Sequence, residues 1–235
     1  PVKLIDILKF SINTGMAEIG TTTGADILSK YVRDYGFGST TGIELPGEGA
    51  GILYEPEDMS KLDVATMSIG QGIAVTPLQM VRAFGAVANG GKMMRPHIIK
   101  SYSNVKGDIT STTDPEVVGQ PIPEETAKII ADILEKEVSE GGGSKALVEG
   151  YHFGGKTGTA EISGGGRALT KTVGDTSVVI PADSPRFVIT VMYMNPSSHG
   201  GIATGPVINK IGEFLMQKYK VPQSRPRENA ISTTW

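Results

Sequence analysis

The spacing of apolar residues predicts four helices in the first part of the chain. They cover residues 2–9, 25–35, 76–89 and 123 to about 138. In the last three, apolar residues recur three or four positions apart and therefore share one face of a helix. Gly36 ends the second helix, Thr76 and Pro77 form a typical helix start, and glycines 141–143 end the fourth. The expected inward-facing residues are Leu78, Val81, Phe84 and Ala88 in the third helix, and Ile129, Ile130, Ile133, Leu134 and Val138 in the fourth.

From Tyr151 onward the pattern changes to the alternation that is typical of strands. The predicted strands are residues 151–162, 176–180 and 187–194, with turns at 163–166 and 181–185, and a short earlier strand at 96–100. A closing helix over 206–219 is expected to pack on one side through Val207, Ile208, Ile211, Leu215 and Tyr219. This order predicts an α+β fold, an antiparallel sheet flanked by helices. We assign residues 1–221 to this domain and expect 222–235 to be a weakly ordered tail.

Composition narrows the class of protein. The chain has 235 residues, of which 39% are hydrophobic and 20% charged, as in a globular protein. A net charge of −3 without a long basic stretch argues against nucleic acid as a partner. No apolar run reaches the roughly 18 residues of a membrane-spanning helix. Cysteine is absent, and His97, His152 and His199 lie far apart in sequence, so we expect neither a metal site nor a cofactor.

One segment matches a motif of nucleotide-binding proteins. Gly150, followed after four residues by Gly155-Lys156-Thr157, fits the phosphate-binding loop pattern. That loop needs a buried strand before it and a helix opened by the lysine and threonine, whose amides contact the phosphates. Gly158 and the glycines at 164–166 favour strand and turn instead. An NTPase is therefore only a remote alternative.

The other interpretation places Lys156-Thr157-Gly158-Thr159 on a strand at the edge of a sheet. Lys156 and Gly158 then face one side, and Thr157 and Thr159 the other. The lysine supplies positive charge, the hydroxyls can bind a carboxylate, and the glycine leaves room for a substrate backbone.

A second motif, Ser11-Ile12-Asn13, lies near the start of the chain and is followed by Thr14-Gly15. Residues two apart do not share a helix face, so Ser11 and Asn13 converge only if the chain leaves the helix there. Taken alone, the triplet also fits an ordinary helix cap.

Together and in this order, the Ser-x-Asn and Lys-Thr-Gly motifs resemble those of penicillin-binding proteins and serine β-lactamases. Further segments look like class B penicillin-binding proteins: residues 35–38, 41–48, 68–72 with 76–79, 88–91 and 154–160. The resemblance covers residues 1 to about 220, and residues 71–77 are more similar to the division and sporulation branch than to the elongation branch. It implies part of a transpeptidase domain with that family's α+β fold.

The first motif of the family, Ser-x-x-Lys, is missing before Ser11. The one such string, Ser103-Asn104-Val105-Lys106, comes after Ser-x-Asn and beside a turn, so we interpret it as a chance match. The resemblance therefore implies that the nucleophilic serine and its lysine belong to an upstream segment of the same protein. That segment is an expected partner of this chain, and by itself the chain should be inactive.

The family reaction implies a role for each matched residue. A serine attacks a peptidoglycan stem peptide ending in D-Ala-D-Ala, and a second stem peptide resolves the acyl-enzyme. Ser11 would relay protons, Asn13 would bind the acyl-side amide, and Lys156 would keep the site electropositive. Thr157 and Thr159 would hold the terminal carboxylate, and the Thr159 N–H would be an oxyanion donor. The implied location is the extracytoplasmic face of the bacterial membrane, and β-lactam antibiotics would acylate the nucleophile.

Two alternatives share these motifs. A serine β-lactamase needs a further carboxylate to activate water, and Glu48, in a glycine-rich loop, is the candidate. A non-catalytic penicillin-binding sensor is the other.

A valine in place of Gly158 should block the substrate edge and still allow folding, because strands tolerate β-branched residues.

Overall fold

The computed structural model describes residues 2–162, 171–194 and 199–224. The helices are α1 Leu4–Lys9, α2 Asn13–Thr23, α3 Ala25–Asp34, α4 Lys61–Met67, α5 Pro77–Ala88, α6 Glu124–Glu140 and α7 Gly200–Lys218. The strands are β1 Met93–Met94, β2 Ser101–Ser103, β3 Ile109–Thr112, β4 Val117–Gly119, β5 Gly154–Glu161, β6 Thr172–Ile180 and β7 Phe187–Met194. Short 3₁₀ turns lie at Pro56–Asp58 and Ser144–Ala146. The arrangement confirms the predicted α+β fold.

The main sheet contains three antiparallel strands in the order β5-β6-β7. Gly158 pairs with Asp175, and Val178 pairs with Ile189, so the central strand β6 is held on both sides. This confirms the predicted hairpin, in which residues 181–185 form the turn. β5 lies at one edge of the sheet. β7 begins and ends at the predicted residues, Phe187–Met194. The predicted turn at 163–166 lies outside the described residues.

The core lies between this sheet and the long helices. Helix α7 packs on β6 and β7, and α6 packs on β5. The buried cluster contains Val138, Ala146, Phe153, Val178, Ile180, Ile189, Ile208, Met216 and Val221. Four of these residues lie on the sheet strands or directly before β5, and the others come from or follow the two helices. The core therefore fixes the position of β5 relative to α6, which matters for the site.

Small hairpins occupy the segment between α5 and α6. β1 pairs with β4, and β2 pairs with β3. The strand predicted at residues 96–100 is wrong: these residues are not in a strand, and the second hairpin starts at Ser101. Pro96 carries no amide hydrogen for a ladder, and the pairing of β1 with β4 ends with the bond from the Arg95 amide to the Glu116 carbonyl, 2.9 Å.

Local capping explains why α5 was predicted well. Thr76 accepts a hydrogen bond from the Gln79 amide, the Gln79 side chain accepts one from the Thr76 amide, and Pro77 occupies the first turn. By contrast, the closing helix begins at Gly200, six residues before the predicted start, and Pro206 lies inside it. A proline favours the first turn of a helix, which is the basis of the predicted start, but it also fits inside a helix whose packing compensates for the missing hydrogen bond.

The predicted inward faces are partly wrong. Ile129 is 56% exposed, whereas Glu137 is 1% exposed. In α5 the buried residues include the polar Gln79 and Arg82. The Gln79 amide nitrogen donates to the Ser39 and Ala50 carbonyls, both at 2.8 Å, so its burial is compensated by hydrogen bonds.

The face predicted for the closing helix is also wrong in part. Ile208 is fully buried, but Val207, Ile211 and Tyr219 are 45%, 37% and 48% exposed. Small residues occupy the buried side instead: Gly200, Thr204, Gly205 and Gly212, together with Ile208 and Met216. Small residues such as glycine and threonine let the helix backbone approach the sheet closely. The spacing of apolar residues alone does not identify such a face.

The end of the described chain is attached to the domain. The Ser224 amide donates to the Gly150 carbonyl at 2.9 Å, and its hydroxyl donates to Asp183 at 3.0 Å. The rest of the predicted tail, residues 225–235, lies outside the described residues. Within residues 2–162, 171–194 and 199–224, no helix combines the length and apolar content needed to cross a bilayer.

Candidate functional site

The segment Lys156 to Thr159 lies on β5, in the middle of an eight-residue strand. A phosphate-binding loop would need a helix beginning at Lys156, and here the strand continues to Glu161. The geometry therefore supports the strand interpretation of the motif.

The direction of the backbone amides along β5 defines the open edge. The Ile162 amide donates to the Lys171 carbonyl on the β6 side at 2.9 Å. The Thr157 amide, five residues earlier, points the opposite way, to Glu137 Oε1 of α6 at 3.5 Å. Because strand amides alternate with period two, the Thr159 N–H points to the same side of β5 as that of Thr157, away from β6. This is the side on which an extended peptide could lie.

Helix α6 satisfies the polar groups of Thr157 at this edge. Besides its amide, the Thr157 hydroxyl donates to Glu137 Oε1 at 3.2 Å. Lys156 Nζ donates to the Thr157 carbonyl at 2.9 Å. At Thr157 the edge of β5 is therefore in contact with α6. Thr159 is the next residue whose backbone N–H points away from β6.

The hydroxyl of Thr159 is oriented by the start of α7. The Gly200 amide donates to Thr159 Oγ1 at 2.9 Å. Since that oxygen accepts through a lone pair, its own hydrogen can still be donated, and no residue within 2–162, 171–194 and 199–224 accepts it. Thr159 is also an exposed residue. The side chain is therefore arranged to donate to an acceptor that approaches from solvent.

Lys156 lies among acidic groups. Its Nζ is 3.5 Å from Glu137 Oε1, and the lysine charge also acts on Asp175 of β6. Burial raises the pKa of Glu137, and the nearby Lys156 and the hydrogen bonds from Thr157 offset this only in part. Burial likewise raises the pKa of Asp175, against the smaller effect of Lys156. Neither acid belongs to a motif of the sequence, and the one signal for Glu137 is its position four residues before glycines 141–143.

The Ser-x-Asn motif occupies the junction of α1 and α2. Ser11 has a φ of 54°, in the left-handed region, and follows the end of α1 at Lys9. Asn13 is the first residue of α2. The chain therefore does leave the helix at Ser11, as convergence of the two side chains requires, and both residues are exposed.

Glycines allow α1, α2 and the end of α6 to approach one another closely. A Cβ at Gly15 would lie 2.8 Å from Ile7 Cδ1, so a side chain at residue 15 would force Ile7 of α1 to move. A Cβ at Gly141 would lie 2.4 Å from the Lys9 carbonyl oxygen, and one at Gly142 would lie 3.4 Å from Thr157 Oγ1. Glycines 141–143, predicted only as a helix stop, thus join the end of α1 to β5.

This contact brings the two motifs to one region of the molecule. Ser11 is two residues from Lys9, which packs on Gly141, and Gly142 packs on Thr157. Lys9 Nζ also binds Glu140 of α6 at 3.2 Å. The end of α6 is therefore the shared element between the Ser-x-Asn and Lys-Thr-Gly segments.

Gly158 lies against its cross-strand partner. A Cβ on Gly158 would lie 2.1 Å from Asp175 Oδ1. Valine at this position therefore requires the Asp175 carboxylate to move, and the expectation that the variant still folds stays a prediction. The absence of a side chain at Gly158 serves the β5–β6 pair as well as the open edge.

The remaining candidates have other roles. Ser103 ends β2 in an exposed hairpin, and Asn104 Oδ1 accepts from the Lys106 and Asp108 amides to close its turn. Glu48 accepts from the amides of Thr41 and Gly42, at 2.7 and 3.2 Å. Neither contact belongs to the edge of β5.

The pKa of Glu48 is also unsuited to a general base that activates water. Burial acts to raise its pKa, but the hydrogen bonds from Thr41 and Gly42 and the charge of Arg82 outweigh this, so the pKa is lowered. A carboxylate with a lowered pKa is a weaker base for activating water. The hydrolase alternative has no support from this residue.

Comparisons with known proteins agree with the motifs. Residues 1–213 match the model of the penicillin binding protein transpeptidase domain. The chain is 38% identical over 232 residues to stage V sporulation protein D of Bacillus subtilis, covering 97% of this chain and 35% of that protein. It is 31% identical to the peptidoglycan D,D-transpeptidase FtsI of Escherichia coli, covering 88% of this chain and 34% of that protein.

A solved structure shares the fold. The crystal structure of penicillin binding protein 3 from Mycobacterium tuberculosis, complexed with ampicillin, superimposes with a TM-score of 0.88 and 29% identity, over 98% of this chain and 54% of that chain. The chain spans 35% of the length of the Bacillus relative and 34% of that of the Escherichia relative. The resemblance to penicillin-binding proteins is confirmed: the chain belongs to the penicillin-binding protein transpeptidase family.

Proposed function

We propose that this chain forms the substrate-binding side of a peptidoglycan D,D-transpeptidase. The observation that carries the proposal is the open edge of β5. There the backbone of Thr159 faces outward beside a lysine, and a threonine hydroxyl keeps its hydrogen free. An extended stem peptide with a terminal carboxylate fits such an edge, because strand addition uses backbone bonds and the lysine and hydroxyl attract the anion.

The reaction is an acyl transfer in two steps. The nucleophilic serine, on the upstream segment, attacks the carbonyl of the penultimate D-alanine, and terminal D-alanine leaves as an amine. The amine of a second stem peptide then attacks the ester and releases the serine, which forms the cross-link. β-Lactams would acylate the same serine, and the solved structure that shares this fold is a complex with ampicillin.

The residues of this chain bind and polarise the substrate. Thr159 N–H would stabilise the oxyanion of each tetrahedral intermediate, and loss of one such donor typically costs about 10²–10³ in rate. Ser11 would carry a proton to the leaving amine and from the attacking amine. Asn13 would hold the acyl-side amide, and the Lys156 charge would favour the neutral form of the lysine beside the nucleophile.

The terminal carboxylate would bind at the threonines. The free hydrogen of Thr159 and the charge of Lys156 support this assignment. Thr157 shares the strand face with Thr159, but its hydroxyl is engaged with Glu137. We infer a place at the extracytoplasmic side of the bacterial membrane, where peptidoglycan is cross-linked, and a role in division or sporulation in line with the named relatives.

Labelling with a fluorescent penicillin tests the proposal. The 235-residue chain should take up no covalent label, and a polypeptide that also contains the upstream Ser-x-x-Lys segment should be labelled at that serine. A label on Ser11 or Ser103 of the chain would refute the division of roles. An unlabelled longer polypeptide would refute the transpeptidase itself and would favour a non-catalytic module.

A further inference from the structure

Glu137 is a buried carboxylate to which the proposed reaction gives no role. It is 1% exposed in the last turn of α6, and its Oε1 faces Lys156 and Thr157. Its Oε2 is also buried, and within the described part of the chain no hydrogen bond reaches that atom. Burial of a carboxylate is unfavourable unless its partners compensate. Its contacts with two motif residues therefore point to a role beyond packing.

The hydrogen atoms at Thr157 limit what this residue offers a substrate. A hydroxyl has one hydrogen and two lone pairs, and an ionised carboxylate only accepts. The hydrogen of Thr157 therefore points to Glu137 Oε1, 3.2 Å away. A substrate carboxylate also only accepts, so it cannot use the same hydrogen while Glu137 holds it.

Thr159 has the opposite arrangement. Its oxygen accepts from the Gly200 amide at 2.9 Å, which leaves its hydrogen free. The two threonines share one strand face, yet one hydroxyl is engaged with the protein and the other is available. The difference comes from the neighbouring elements, α6 for Thr157 and α7 for Thr159.

We propose that Glu137 is a positioning residue that decides which threonine binds the substrate carboxylate. Glu137 accepts the hydrogen bonds of the Thr157 hydroxyl and the Lys156 ammonium. The Thr159 hydroxyl is then the one that donates to the substrate carboxylate. Glu137 acts through Thr157 and does not touch the substrate. The inference rests on the proposed transpeptidase function and concerns ligands with a free carboxylate, either stem peptides or β-lactams.

The test compares two ligands that differ only at the carboxylate. Second-order acylation rate constants are measured for benzylpenicillin and for its methyl ester, with the polypeptide that contains the Ser-x-x-Lys segment. The ratio of the two constants, acid over ester, reports carboxylate recognition. Loss of folded protein or general disorder of the site lowers both constants and leaves the ratio unchanged.

The first arm uses isosteric variants of the two threonines. Thr159→Val should lower the acid-to-ester ratio about 10- to 150-fold, the range for a hydrogen bond to a charged group. Thr157→Val should change the ratio by less than about threefold, since its hydrogen is already directed to Glu137. Equal losses in the two variants would overturn the proposal, and this arm needs no change at Glu137.

The second arm changes the acceptor. Glu137→Met has a similar length without a strong acceptor, so it releases the Thr157 hydrogen to the ligand. In this background Thr157→Val should now lower the ratio about 10-fold or more. In Glu137→Gln, which keeps a carbonyl acceptor, Thr157→Val should stay within about threefold. The same Thr157 effect in all three backgrounds would overturn the proposal.

A matched control and the wild type separate this inference from the function on which it rests. Glu125→Gln, at an exposed position in the first turn of α6, should leave both rate constants unchanged. If the wild type is acylated by neither ligand, the proposed function fails, and this inference fails with it. If the wild type is acylated and the threonine pattern is not found, only the role of Glu137 is refuted.

Discussion

Replacement of Gly200 by alanine tests the contact that orients Thr159. A Cβ at Gly200 would lie 1.8 Å from the Gly158 carbonyl oxygen and 3.0 Å from the Asp175 amide nitrogen. These are backbone atoms of a paired ladder, so neither can turn aside as a flexible side chain can. The start of α7 must therefore move away from β5, and the bond from the Gly200 amide to Thr159 is lost.

The expected cost follows from two contributions. Overpacking of a close contact typically costs about 1–3 kcal/mol. The lost hydrogen bond adds about 0.5–1.5 kcal/mol. The sum, about 1.5–4.5 kcal/mol, corresponds to a decrease in Tm of about 3–18 °C for a domain of this size.

Thermal unfolding followed by circular dichroism measures this effect, with Gly85→Ala as the control. Gly85 lies inside α5, and nothing lies within 4 Å of a Cβ built there. Alanine should therefore stabilise the helix by up to about 1 kcal/mol, because glycine is the poorer helix former. A Gly200→Ala variant that melts within about 2 °C of the wild type would refute the argument that α7 and β5 meet through this glycine.

Three further predictions concern stability and the site. Because the pKa of Glu137 is raised above its ordinary value of 4.5, its ionised form disfavours folding. The free energy of unfolding of Glu137→Gln minus that of the wild type should therefore increase as the pH rises from 4.5 through the folded pKa. Urea unfolding measures this difference, and a difference that falls with pH would contradict the prediction. Gly158→Val should lower Tm, and the smaller Asp175→Ser should restore part of the loss in the double variant; equal losses with and without Asp175 would show that this contact is not the cause. Thr76→Ala removes one half of the capping box with Gln79 and should cost about 0.5–2 kcal/mol in chemical unfolding, whereas no loss would mean that Pro77 alone fixes the start of α5.

Local chemistry made several elements predictable. The start of α5 depends on Thr76, Pro77 and Gln79, which interact within one turn. The strand β7 and its turn from β6 follow from alternation bounded by prolines at 181 and 185. The strand nature of Lys156–Thr159 followed from the glycines around it. In each case the residues that decide the structure are neighbours in sequence, so no distant contact was needed to recognise it.

Residues of the site were also predictable as a set, but only in part. Ser11 and Asn13 stood out as a motif, as did Lys156 to Thr159, and the departure from the helix at Ser11 is confirmed. Their individual roles stay predictions. Glu137 was missed because an amphipathic pattern assigns a glutamate to the solvent side, and Ile129 was assigned to the core for the same reason.

The tertiary structure alone decided which face of each helix is buried and which hydroxyl is free. Glu137 is buried because α6 lies across the edge of β5, and it is compensated there by Lys156 and Thr157. Thr157 and Thr159 are the same residue type on the same strand face, and sequence cannot distinguish them. Their hydrogen bonds differ because different helices, distant in sequence, supply an acceptor to Thr157 and a donor to Thr159.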